Sequence, residues 1–134
     1  MRLTMDKSGE TKAITLTRWG AKIATAGIFT AVGWFPKITG NAGPLAEKVP
    51  GGQNAIYAIA AVEIVAIILI LNPKTAFFGA ALAVLTMLGA IASHIGPVGF
   101  EGDFMGVFLM ALVALVTSIA ATILEWKKRV SKIS

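Results

Sequence analysis

The chain is 134 residues long, enough for a single domain. Hydrophobic residues make up 56% and charged ones only 14%, against about 25% charged in an ordinary soluble domain, so too few polar side chains remain to cover a water-facing surface. There is no cysteine, which excludes disulfides, thiolate metal sites and thiol relays; the net charge of +5 sits mainly in the two ends, beside apolar runs, a placement that fits a membrane surface rather than nucleic acid.

In chain order, residues 1–18 read as a polar tail. Four apolar runs follow, at about 19–35, 55–71, 76–95 and 104–124, and residues 126–134 form a basic tail. A helix needs roughly 17–25 residues to cross the hydrocarbon of a bilayer, and each run meets that length. Only closed backbone bonding is tolerated there, so the predicted fold class is an all-α integral membrane four-helix bundle. The first run is the weakest, with Lys22 inside it; the second holds one charge, Glu63; the fourth holds none.

Pro36 is expected to end the first span, Asn72-Pro73 the second and Gly96-Pro97 the third. The short link after the second span makes spans two and three antiparallel neighbours. The longer stretch from Pro36 to Asn54 is rich in Gly and Pro, and Pro44 to Val49 suits a short helical turn. The long polar leader argues against a cleaved signal peptide, although Ala42 to Ala46 gives a faint small-residue cleavage pattern.

Orientation follows from the basic residues. Arg2, Lys7, Lys12, Arg18, Lys22, Lys74, Lys127, Lys128, Arg129 and Lys132 fall on one side, and only Lys37 and Lys48 on the other. This distribution places both termini in the cytoplasm. Trp19 and Trp126 would mark the inner interface, with Trp34 and Tyr57 at the outer one. The basic clusters at the two ends read as topology signals first, and as contacts to anionic lipid second.

Three residues invite a chemical reading. Glu63 lies inside a span, where a carboxyl group costs about 2.5–3.5 kcal/mol to insert. It is either an acid that binds a proton or orients a ligand, or one held by a structural hydrogen bond to a neighbouring helix. His94, the only histidine, stands about one turn from the outer end of its span. It is a ligand or proton contact, or, more simply, an interfacial group satisfied by water or a loop carbonyl. At about 1.5 Å rise per residue the two differ in depth by roughly 9 Å, so a water or ligand could lie between them but a direct bond is unexpected. Lys37, at the outer edge, would reach Glu63 only by a long inward extension, and snorkelling to the surface is the simpler expectation.

Small residues at helical spacing, Gly79 with Ala83, Gly89 with Ser93 and Gly20 with Ala24, predict close helix packing. Thr86, Gly89 and Ser93 share one face of span three, expected to be buried. Met105, Phe108, Leu112 and Leu115 recur along one stripe of span four, a candidate contact with a partner chain or a second copy, or else with lipid. The sequence holds no catalytic constellation, metal-ligand cluster, phosphate-binding loop or nucleic-acid platform.

The runs Gly33-Trp34-Phe35-Pro36-Lys37-Ile38-Thr39-Gly40 and Met87-Leu88-Gly89-Ala90-Ile91-Ala92-Ser93-His94, with Glu63 between them, resemble the DoxX and DoxX-like family of small four-helix membrane proteins. The resemblance runs from about Trp19 to Thr122. It implies a multi-pass protein of a bacterial-type cytoplasmic membrane, an accessory or structural subunit of a redox-associated complex. The alternative is an autonomous bundle that binds a quinone or another lipid-soluble molecule near Glu63 and His94. Quinone is the one cofactor it suggests; the expected partners are membrane lipid and another membrane chain or a second copy, with no nucleic acid.

Overall fold

The computed structural model describes residues 11–39, 43–100 and 102–133. These residues form helices and the turns between them, and no β-strand is found among them.

The first helix starts well before Trp19. α1 covers Lys12–Ile28 and is capped by Thr11, whose hydroxyl accepts from the Ile14 amide at 3.2 Å. Residues 12–18 of the expected polar tail are therefore helical. The same rod continues through a π-helical segment, Phe29–Trp34, into α2, Phe35–Ile38. Pro36 thus does not end the helix, contrary to expectation. A proline lacks one amide donor and crowds the carbonyl four residues back; the wider π turn just ahead of it accommodates that loss.

α3, Gly43–Lys48, is the short helix expected near Pro44. α4 covers Gly52–Leu71 and α5 covers Ala76–Ser93. Between them lies the expected stop at Asn72-Pro73. There the Lys74 amide donates to Asn72 Oδ1 at 3.0 Å, and the Thr75 hydroxyl donates to the Leu69 carbonyl at 2.8 Å. A second π segment, His94–Val98, follows α5 and is broken at Gly96, as the Gly96-Pro97 pair implied. α6, Asp103–Ile133, continues beyond Leu124, so residues 126–133 of the expected tail prolong the helix.

α6 packs along both α1 and α5. α4 packs on the other side of α5 and closes the arrangement by meeting the π segment and α2. The first rod thus faces α6 mainly with its N-terminal part, α1, and α4 mainly with the π segment and α2. The interior is built from small side chains: Ala60, Ala66, Ala80, Ala83, Ala114 and Ala121 are all buried, with Phe29, Ile56, Ile70 and Met87 filling the gaps. Such residues let backbones approach closely. The expected packing at Gly79 and Ala83 is present, and a Cβ added at Gly79 would overlap the backbone of Leu69 and Ile70.

Two other small-residue pairs behave differently. Nothing lies within 4 Å of a Cβ built at Gly20 or Gly89, so neither marks a helix contact. The Ser93 hydroxyl turns back to its own helix, donating to the Gly89 carbonyl at 2.9 Å. Thr86, Gly89 and Ser93 therefore do not form the buried face expected of them. The stripe on α6 is also divided. Met105 and Leu112 are exposed, Phe108 packs on His94 and Phe100, and Leu115 packs against the core.

Among the described residues, three helices are long and apolar enough to cross a membrane: Gly52–Leu71, Ala76–Gly96 and Phe104–Val130. Their outward faces carry large apolar side chains such as Ile68, Leu85 and Val116. The first helix, with Arg18 and Lys22 inside it, is not among these three.

The contrast between glycines gives a direct test. Gly79→Ala is expected to lower stability by about 1–3 kcal/mol, because α4 and α5 must move apart. Gly20→Ala, in open space, is expected to be neutral or to add up to about 1 kcal/mol of helix propensity. Unfolding in mixed detergent measures both; equal effects would remove the packing argument.

Candidate functional site

α2 and α4 bring Lys37 and Glu63 together. The Lys37 ammonium lies 2.8 Å from Glu63 Oε1, and the side chains are 11% and 2% exposed. Lys37 thus turns inward instead of snorkelling outward. The reason lies in the backbone: the first rod continues past Pro36, so Lys37 sits on a helix packed against α4 rather than in a free loop. Gly33, one turn back on the same rod, leaves room for the carboxylate; a Cβ there would overlap Glu63 Oε2. A buried charge is costly unless paired, and this pair meets that condition.

The pair forms part of the wall of two cavities. Behind it is a space of about 50 Å³ bounded by Ile28, Phe29, Val32, Gly33 and Met87. In front is a half-open cleft of about 420 Å³ between α4 and α5. Ala58, Ile59 and Val62 line it from α4, Leu85, Thr86, Gly89, Ala90 and Ser93 from α5, and Val49, Val98 and Val107 from neighbouring segments. Its volume falls in the range of small-molecule sites, roughly 300–1,000 Å³, and its wall has their usual make-up, mostly apolar with a few polar groups.

His94 lines the same cleft, buried at its end. Its Nδ1 lies 2.9 Å from the Gly99 carbonyl oxygen, the loop-carbonyl partner that the sequence made the simpler expectation. Phe100, Phe104 and Phe108 surround the ring at centroid distances of 6.2, 6.4 and 5.6 Å. No direct bond joins His94 to Glu63, in keeping with their separation in depth. The structure therefore brings Lys37, Glu63 and His94 to one cleft. It assigns Gly89 and Ser93, expected in helix packing, to the wall of that cleft.

A second charged cluster escaped the sequence reading. Near the other end of the first rod, Glu125 Oε1 of α6 lies 3.0 Å from the Lys22 ammonium and 3.1 Å from Arg18 Nε. All three side chains are buried, and the Lys22 ammonium also lies 3.6 Å from the centroid of the Trp19 ring, a cation–π contact. Thr25 and Thr117 add a hydrogen bond of 2.7 Å between α1 and α6. Arg18 and Lys22 are thus more than topology signals. Their spacing of four puts both on one helix face, which was readable; that Glu125, more than a hundred residues later, completes the group was not.

No protein family, curated protein or solved structure matches this chain. The expected membership of the DoxX-like family accordingly gains no support from these comparisons.

Removing one member of the Lys37–Glu63 pair should strand the other. Lys37→Met and Glu63→Leu are each expected to cost about 3–5 kcal/mol, and the double variant to recover most of that loss. A double-mutant cycle of unfolding free energies checks this; simple additivity would show that the pair does not couple.

Proposed function

We propose that this chain is an integral membrane protein whose α4–α5 cleft binds a lipid-soluble small molecule by its polar head, a quinone being one candidate. The cleft with its buried ion pair is the observation that carries the reading. It is open on one side, where Val62 and Leu85 continue the apolar outer surface, so a ligand dissolved in lipid enters without crossing water. Lys37, Glu63 and His94 supply polar contacts in an otherwise apolar space. A purely accessory bundle has no evident use for such a space, and the binding reading is therefore preferred to that of a structural subunit.

In this reading the first helix is the fourth span. Its charged residues do not oppose insertion, because Glu125 meets Arg18 and Lys22, and Glu63 meets Lys37. Both termini face the cytoplasm of a bacterial-type cell, following the distribution of basic residues. The cleft then lies in the outer half of the bilayer. The exposed Met105 and Leu112 meet lipid or a partner redox protein.

Gly89→Leu should fill the cleft without touching the ion pair, since nothing lies near a Cβ at that position. Native mass spectrometry of protein gently extracted from membranes is expected to show a bound lipophile in the wild type and to lose it in this variant, with helix content unchanged. Wild-type protein that carries nothing, and takes up no added quinone, would overturn the binding reading.

The topology has its own test. A cysteine replacing the exposed Lys48 should react with an impermeant thiol reagent in intact cells, and one replacing the exposed Lys127 should be protected. The reverse pattern would invert the orientation.

A further inference from the structure

The hydrogen-bonding groups around the cleft are unequally divided between its two sides. On α5, the Thr86 hydroxyl donates to the Leu82 carbonyl at 2.8 Å, and the Ser93 hydroxyl donates to the Gly89 carbonyl at 2.9 Å. The proton of each is used within its own helix, and only oxygen lone pairs remain to offer a ligand.

His94 follows the same pattern. A carbonyl oxygen can only accept, so the 2.9 Å contact with Gly99 requires the proton on Nδ1. In the neutral ring that leaves Nε2 as a bare acceptor. Among the described residues no protein donor meets Nε2. Thr86, Ser93 and His94 all line the cleft, and the hydrogen-bonding capacity each has left is that of an acceptor.

The opposite wall carries the Lys37–Glu63 pair, in which the Glu63 carboxylate only accepts and Lys37 is the donor. Lys37 is a donor of three hydrogens, and its contact with Glu63 Oε1 occupies one direction. Its side chain is the more exposed of the pair. An occupant must therefore give hydrogens toward α5 and accept one from Lys37. An amine would meet the first demand, but as an ammonium it would add a net charge to an apolar space where the Glu63 carboxylate is already paired with Lys37. A neutral hydroxyl meets both, since it donates through its hydrogen and accepts on its oxygen.

We propose that the cleft selects neutral, hydroxyl-bearing apolar molecules, with the ligand hydroxyl donating to an acceptor on the α5 side, His94 Nε2 or the Thr86 or Ser93 oxygen, and a ligand oxygen accepting from Lys37. The inference rests on the binding reading above and narrows it to a ligand class. It gives His94 the role of a specificity-determining acceptor whose tautomer is fixed by the Gly99 carbonyl. A fully oxidised quinone, which has acceptors alone, would bind less well than its hydroxyl-bearing reduced form.

The test compares para-octylphenol with its methyl ether, which keeps the oxygen and loses the donor. Native mass spectrometry of the full chain in detergent, over a concentration series, gives the ratio of their dissociation constants. The wild type is expected to prefer the phenol by about tenfold. His94→Asn retains an amide donor for the Gly99 carbonyl but has no counterpart of Nε2, and the ratio should fall toward one. Thr86→Val, which keeps the shape and removes an oxygen, should lower it as well and serves if His94→Asn does not fold. Equal binding of the two probes by the wild type, lost in both when Gly89→Leu fills the space, would overturn the hydroxyl preference while leaving the cleft as a binding site. A tenfold preference unchanged in both variants would overturn the role given to α5 and His94. Absence of saturable binding for either probe would remove the cleft reading and this inference together.

Discussion

The contact between Lys37 and Glu63 is the constraint on which the cleft end of the molecule depends. A lone carboxylate in the apolar interior of α4 would be strongly unfavourable, and so would a lone ammonium beside it. Their pairing requires α2 to lie against α4, which in turn requires the first rod to run on past Pro36 and Gly33 to lack a side chain. Once those conditions hold, the pair forms a polar patch on one wall of the α4–α5 cleft. The acceptors of α5 face the same space from the other wall.

Two different forces hold the helices together. α4, α5 and α6 are joined mainly through alanine and glycine, whose small size gives broad dispersion contact. The first rod is the polar member of the group, and it is fastened by ionic contacts near both ends: Arg18 and Lys22 to α6, Lys37 to α4. The residues that make its sequence look least suited to an apolar environment are the ones it buries. Its weak apolar signal and its place in the fold have one cause.

Much of this was legible in the residues. The apolar runs located α4, α5 and most of α6, and Asn72-Pro73 located the tight turn. Gly79 announced a close approach, and Glu63 and His94 stood out as polar groups in apolar runs. What escaped had to do with position in space. Pro36 stops a helix when it follows an ordinary α-turn, but the π segment ahead of it is set by packing that no local pattern reports. A helix that stopped at Pro36 would leave Lys37 at its end, where a lysine reaches for water. Gly89 and Gly79 share a small-residue spacing but face different surroundings, because spacing fixes a helix face without saying what that face meets. Glu125 belongs to a contact between the two ends of the chain, and its partners lie too far away in sequence for any spacing rule to connect them.

The π segment in the first rod works as a phase adjuster. A residue added to a helix turns everything beyond it by about 100° around the axis. The segment Phe29–Trp34 follows the stretch that faces α6 and, together with α2, meets α4. One rod thereby serves two partners in different directions, without a break in the chain or a loop to change course. The angular offset between Lys22 and Lys37 is written into this short stretch of backbone. A change of register there, rather than any change of side chain, would be enough to unhook the lysine from the acid and alter the polar side of the cleft.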